Sequence, residues 1–176
     1  MAGQDTGSSV AIIAGSDSDA FLVKEASDAL RELGVKPTVR VLSAHRSPGE
    51  GAAFAAEARE AGYQVIIAIA GGAAHLAGAI AARTTLPVIG VPAPTGLMGG
   101  LDSLLSTVQM PAGVPVATMG VGKSGARNAG ILAGQILALG NKAIAEKLVS
   151  LKAAMASQVR DKEERLRKSL ESGEGG

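Results

Sequence analysis

The chain has 176 residues, a length that suits one domain with a sizeable core. Its 17 Lys and Arg nearly balance its 16 Asp and Glu, so composition argues against a nucleic-acid or membrane partner. Cysteine is absent, which excludes disulfides, thiolate metal sites and thiol nucleophiles, and two histidines are too few for a His-rich metal centre. Without an 18-residue apolar run or a signal-peptide pattern, we expect a soluble, cytoplasmic protein that uses no cofactor.

Short apolar runs alternate with segments of helical periodicity along most of the chain. The runs have the length of strands that are buried on both faces of a parallel sheet. The segments between them carry apolar residues at spacings of three and four, and several end at glycine. In chain order the pattern predicts strands at about 10–14, 37–42, 65–69, 87–91 and 114–118, with helices at about 21–33, 52–62, 76–83, 101–108 and 126–139 between and after them.

This alternation predicts one domain over residues 10–140. Five buried strands with intervening helices and no second run of strands are typical of a three-layer α/β/α sandwich. Right-handed crossovers between the strands make the five-stranded sheet parallel. The polar, Gly/Ser-rich residues 1–9 and the residues 171–176 are expected to be disordered tails.

Residues 141–170 predict an additional helix with one narrow apolar stripe. A stripe this thin could cap the helix's own domain or pack on a neighbouring subunit, and we favour the neighbour. The stripe consists of Ile144, Leu148, Leu151, Met155 and Val159.

The first candidate site loop follows the first predicted strand, at the sheet edge where open α/β sheets bind ligands. Ser16 and Ser18 offer hydroxyls, and the N–H groups of the next helix could bind an anion. Asp19 suits sugar hydroxyls better than phosphate, so phosphoribose is a reasonable ligand. An ordinary Ser/Asp helix cap explains the same residues.

The second loop, residues 43–48, combines a hydroxyl at Ser43, the small Ala44, an imidazole at His45 and a cation at Arg46. A guanidinium binds oxyanions through two hydrogen bonds, and an imidazole can move a proton near neutral pH. The alternative is a histidine that only caps the strand end.

The third loop contains Gly71, Gly72, Ala73 and Ala74, which lack bulky side chains, and then His75. Exposed backbone amides in such a loop could hold a carboxylate or carbon dioxide. A structural role for His75 remains the alternative. Together the three loops favour a cofactor-free acid–base reaction on a small phosphorylated metabolite.

Five segments, at residues 15–19, 43–48, 70–76, 101–111 and 113–117, resemble the signatures of the PurE family of purine biosynthesis. The resemblance covers about residues 10–140. It implies a flavodoxin-like fold and a homo-octamer with active sites at subunit contacts, in which the C-terminal helix reaches onto a neighbour.

The resemblance also separates two branches of the family. Arg46 within His-Arg-Ser-Pro resembles the branch that acts as 5-(carboxyamino)imidazole ribonucleotide mutase, an isomerase. The other branch carboxylates aminoimidazole ribonucleotide directly and typically has Lys at this position. Residues 93–98 differ from the mutase pattern and are expected to lie over the substrate. A flavodoxin-like nucleotide-binding protein without catalysis is a third hypothesis.

The family's functional residues carry over to matching positions of this chain. The resemblance implies that His45 is the general acid–base, assisted by His75, and that the glycine loop confines carbon dioxide. It also implies a functional link to an ATP-dependent carboxylase that makes the carbamate. The implied ribose-phosphate ligands are Ser16, Asp19 and Arg46, with Ser18 and Ser43 nearby, and the confining loop is Gly71, Gly72, Ala73 and Ala74.

Overall fold

The computed structural model describes residues 9–172, without the side chain of residue 172. Most of the two expected tails therefore lies outside the described residues. Residues 171 and 172, which the sequence pattern predicts to be part of the C-terminal tail, belong to the last helix.

Strands and helices alternate over the described residues, as the periodicity predicts. The elements are β1 Val10–Ala14, α1 Ala20–Glu32, β2 Thr38–Val41, α2 Pro48–Glu57, β3 Val65–Ala70, α3 Leu76–Ala81, β4 Val88–Pro92, α4 Leu101–Val108, β5 Ala117–Thr118, α5 Lys123–Ala138 and α6 Lys142–Ser172, with a short 3-10 helix Asp17–Asp19 before α1.

The five strands form one parallel sheet in the order β2-β1-β3-β4-β5. This order is that of flavodoxin-like folds, so the predicted three-layer α/β/α sandwich is confirmed. From β1 the chain moves to β2 on one side and to β3 on the other. The loops after β1 and β3 therefore diverge at one point of the sheet edge, which is where such folds bind ligands.

The core consists of two hydrophobic layers, one on each face of the sheet. Ile12 and Ile67 point into the layer under α1, α5 and α6, whereas Ile13 and Ile66 point into the layer under α2 and α3. Successive side chains of a strand point to opposite faces, so β1 and β3 must be apolar at every position. This explains why the central strands appear in the sequence as unbroken apolar runs.

The expectation that all five strands are buried is wrong for the two edge strands. In β2, Val39 and Val41 are 47% and 57% exposed, because an edge strand has only one neighbour in the sheet. β5 contains two residues rather than the predicted five. Pro115 has no N–H to donate to a sheet ladder, and the Val114 N–H donates to Pro111 O in a turn, so pairing begins later.

Helix α6 begins by capping its own domain. Ile144 is buried, and Leu148 and Leu151 pack against the layer under α1 and α5. Farther along the same stripe, Met155 and Val159 are 47% and 63% exposed. Contact with a neighbouring subunit therefore remains a prediction for the second half of the helix. No helix within residues 9–172 combines the length and apolarity needed to cross a bilayer.

Candidate active site at the carboxyl edge of the sheet

A cleft of about 480 Å³ lies where β1 to β4 end. Every predicted site residue lines it except Gly72 and Ala74. The topology therefore brings together three loops that are far apart in the chain. The lining also contains Ala93, Pro94 and Thr95, from the segment 93–98 that is expected over the substrate, and three residues that the sequence did not single out, Gly15, Ala70 and Leu76.

The two histidines of the chain form a pair in this cleft. His45 lies in the loop between β2 and α2, and His75 immediately precedes α3. His45 Nε2 and His75 Nδ1 are 2.8 Å apart, and the ring planes meet at 77°. A hydrogen bond at this distance needs one nitrogen that carries a proton and one that does not, so one histidine donates to the other. An imidazole pair open to a cleft can deliver that proton to a ligand or remove one from it.

Two serine hydroxyls fix the loop that carries His45 and Arg46. Ser43 Oγ accepts a hydrogen bond from the Arg46 N–H at 3.1 Å, and Ser47 Oγ accepts one from the Ser43 N–H at 3.0 Å. The Arg46 guanidinium donates to Gly15 O at 3.4 Å, which places it beside the loop after β1. A guanidinium has further donors, so Arg46 can bind an oxyanion in the cleft while it keeps this contact.

The loop after β1 serves both as a cap and as part of the cleft wall. Ser16 Oγ accepts from the Ser18 N–H at 3.3 Å, which is the capping alternative that the sequence left open. Asp19 is half-buried, and burial raises the pKa of its carboxyl, with a smaller contribution from the negative charge of Asp17. Ionisation of Asp19 therefore lowers the free energy of unfolding of the protein.

We predict that Asp19→Asn stabilises the protein at neutral pH. Folding raises the pKa of Asp19, so the folded state binds the proton more tightly than the unfolded chain does. This contribution to stability is complete below pH 3.8, the ordinary pKa of Asp, and is lost as pH rises through the folded-state pKa. Asn does not titrate, so the increase in Tm should be present at neutral pH and shrink below pH 3.8. Thermal unfolding followed by circular dichroism measures both values. Asp161→Asn on α6 is the control, and a lower Tm for Asp19→Asn at neutral pH would contradict the prediction.

The glycine-rich loop offers fewer free amides than its sequence suggests. The Gly72 N–H donates to Ser103 Oγ at 2.9 Å, and the N–H groups of Ala74 and His75 donate to carbonyls within the loop, both at 2.8 Å. Within residues 71–75, only the N–H groups of Gly71 and Ala73 make no hydrogen bond to any described residue. Both of these residues line the cleft. Gly72, at φ +66, and the buried Ala74 shape the loop instead.

Thr95 belongs to the fourth loop of the cleft, after β4, within the segment expected over the substrate. Its hydroxyl donates to Asp102 Oδ1 of α4 at 2.6 Å. This hydrogen bond is the main cause of the lowered pKa of the Asp102 carboxyl, and hydrogen bonds from Ser103 add to it. In the sequence, Thr95 is recognisable as a hydroxyl in a Pro/Gly-rich turn after a strand. Its hydrogen bond to Asp102 depends on the tertiary structure and could not be predicted from the sequence.

Comparison with known proteins places this cleft in a family. Residues 9–158 match the family model described as AIR carboxylase. The chain belongs to this family. The AIR carboxylase match ends inside α6, so residues 159–172 of the helix lie beyond it. The predicted family resemblance is confirmed.

Individual relatives agree with the family model. The N5-carboxyaminoimidazole ribonucleotide mutase of Bacillus subtilis is 57% identical over 139 residues, which is 79% of this chain and 86% of the relative. The enzymes of the same name from Mycobacterium tuberculosis and Escherichia coli are 50% and 47% identical over 159 residues, 90% of this chain and 90% and 94% of the relatives. The crystal structure of Treponema denticola PurE superposes with a TM-score of 0.81 at 26% identity, covering 89% of this chain and 97% of that one.

Proposed function

We propose that this chain is an N5-carboxyaminoimidazole ribonucleotide mutase, an isomerase of purine biosynthesis. The reaction moves a carboxyl group from the exocyclic nitrogen of an aminoimidazole ribonucleotide to ring carbon 4. The observation that carries the proposal is the His45–His75 pair beside Arg46 in one cleft. The mutases of three bacteria, 47% to 57% identical to this chain, support it.

The phosphoribosyl end of the substrate is bound by the loops after β1 and β2. Arg46 supplies the cation for the phosphate, oriented by its contact with Gly15 O. Asp19 accepts hydrogen bonds from ribose hydroxyls. The hydroxyls of Ser16, Ser18 and Ser43, which also line the cleft, complete this part of the site.

The imidazole end reacts beside the histidine pair. His45 donates a proton to the carbamate nitrogen as the N–C bond breaks, which releases aminoimidazole ribonucleotide and carbon dioxide. Ring carbon 4 then attacks the carbon dioxide, and His45 removes the proton from that carbon, so the proton balance closes. His75, 2.8 Å from His45, assists by hydrogen-bonding and orienting the His45 ring.

Carbon dioxide must stay in the cleft between the two steps. A trapped molecule reacts at high effective molarity, whereas an escaped molecule is diluted into solvent. Gly71 and Ala73 form this part of the wall, where their N–H groups can hold a carbon dioxide oxygen. Gly71 has little room for a side chain, because a Cβ would lie 3.3 Å from the Ala93 Cβ.

Two substrates compared side by side test the proposal. We expect the carbamate to be converted to the ring carboxylate without ATP, metal ion or added bicarbonate. The description of the matched family favours one second candidate, the direct carboxylation of aminoimidazole ribonucleotide. That enzyme would instead convert aminoimidazole ribonucleotide when carbon dioxide is supplied. If the folded protein turns over neither substrate, the remaining hypothesis is a nucleotide-binding protein without catalysis.

We also propose a homo-octamer in which the second half of α6 packs on a neighbouring subunit. Exposed apolar side chains on one loop and two helices support a large self-interface. They are Leu97 and Met98 beside the cleft loop and Leu105 on α4, at 62%, 76% and 48% exposure, and Val159 on α6 at 63%. Sedimentation of the full chain should give the octamer mass, and a monomer at micromolar concentration would contradict the assembly.

The chemistry of the substrate indicates where the enzyme works. A carbamate on an amine loses carbon dioxide readily, so it must be made close to its point of use. We therefore propose a functional link to an ATP-dependent carboxylase that makes the carbamate, with both enzymes in the cytoplasm.

A further inference from the structure

Helix α4 holds two of the cleft loops through three of its side chains. We name Asp102, Ser103 and Ser106 the α4 clamp. Ser103 Oγ accepts from the Gly72 N–H at 2.9 Å. The Ser106 hydroxyl has one hydrogen, which it shares between Asp102 O of its own helix at 2.8 Å and Gly72 O at 3.2 Å. Both polar backbone atoms of Gly72 therefore lie within hydrogen-bond distance of the same helix. Asp102 accepts from the Thr95 hydroxyl at 2.6 Å, which attaches the loop after β4.

Ser103 is the most deeply buried residue of the clamp. Its side chain is 0% exposed, so water cannot replace it as the acceptor for the Gly72 N–H. Gly72 has φ +66, in the left-handed region, so the loop relies on its hydrogen bonds to keep this conformation. The next residue, Ala73, carries one of the two unbonded N–H groups in the cleft, and His75 lies three residues after Gly72.

Asp102 holds the neighbouring loop, which follows β4, the strand paired with β3. A Cβ on Gly71 would lie 3.4 Å from the Thr95 methyl group, so the two loops run close together. Asp102 and Ser103 are adjacent on α4. The clamp therefore attaches Thr95 and Gly72 to neighbouring positions of one helix.

We infer that Ser103 is a positioning residue, which sets the loop 71–75 so that Ala73 N–H and His75 face the reacting carboxyl group. The inference rests on the proposed mutase reaction. The residue touches no reacting atom and acts through Gly72. Its loss should therefore affect the retention of carbon dioxide more than the binding of the phosphoribosyl end, which other loops hold.

Ser103→Ala tests the inference in two independent ways. We expect kcat to fall roughly 10²-fold, the loss that a 1 Å misplacement can cause, with little change in KM. More aminoimidazole ribonucleotide should escape per product formed. In the ligand-free protein, amide hydrogen exchange over residues 70–76 should become faster, as mass spectrometry of that peptide can show.

Thr107→Val is the matched control. Thr107 is buried on the same helix, and its hydroxyl donates to Ser103 O within α4 rather than to residues 71–75. The control should keep the wild-type kcat and the wild-type exchange over residues 70–76. If Ser103→Ala does not fold, Ser106→Ala tests the same loop from a less buried position, with smaller changes in the same direction.

The outcomes separate the clamp from the proposed reaction. The clamp is overturned if amide exchange over residues 70–76 stays at the wild-type rate in Ser103→Ala, or in Ser106→Ala where that variant replaces it. It is also overturned if Thr107→Val loses as much kcat and protection from exchange as Ser103→Ala does. If the wild-type protein shows no mutase turnover, the proposed function fails while the exchange measurement still decides whether the clamp orders the loop.

Discussion

Replacing His45 with Asn should reduce turnover of the carbamate by about 10²- to 10⁴-fold, the usual contribution of a positioned general acid–base. Asn keeps an amide near the position of the ring Nδ1, but it has no group at the position of Nε2 and cannot gain or lose a proton. Both proposed proton transfers therefore lose their donor and acceptor. Steady-state kinetics with the carbamate and calorimetric binding of aminoimidazole ribonucleotide measure the two consequences separately.

Binding of aminoimidazole ribonucleotide should be largely kept in this variant, because Arg46 and the serine loops hold the phosphoribosyl end. His75→Asn is the matched comparison, since it removes the other member of the 2.8 Å pair. We expect a smaller loss of kcat for His75→Asn, because His75 assists and does not transfer the proton itself. Near-wild-type turnover in His45→Asn would refute the acid–base role of His45.

Gly125→Ala should destabilise the fold by about 3 kcal/mol or more, at the upper end of overpacking effects. A Cβ at this position in the first turn of α5 would lie 1.6 Å from the Gly120 carbonyl oxygen. That carbonyl cannot easily move. The Met119 N–H donates to Gly90 O at 2.8 Å and the Gly122 N–H to Pro92 O at 3.0 Å, so both ends of its loop are tied to β4.

Gly49→Ala is the control for Gly125→Ala. Gly49 lies in the first turn of α2, and a Cβ there would meet no atom within 4 Å. Alanine should stabilise the protein by about 0.4–1 kcal/mol, because it restricts the unfolded chain more than glycine does. Urea denaturation at one fixed protein concentration measures both variants. Equal stability of Gly125→Ala and wild type would show that the loop 119–122 can shift.

The central strands were predictable because burial on both faces requires an unbroken apolar run, which can be seen in a short stretch of sequence. β1 and β3 are buried on both faces, so each position must be apolar, and the run of residues 10–14 matches β1 residue for residue. The edge strands carried a weaker signal. β2 is exposed on its outer side and β5 is interrupted by Pro115, so apolar content alone overestimated their burial and length.

The composition of the site followed from the sequence as well, since parallel strands bring their carboxyl ends to one edge and the informative residues follow those strands. What only the tertiary structure decided is which atoms meet. His45 and His75 are 30 positions apart, and their 2.8 Å contact depends on the conformations of two loops. One of these loops contains Gly72 at φ +66, held by Ser103 of α4. Periodicity reports burial along one element, whereas such contacts depend on how separate elements pack.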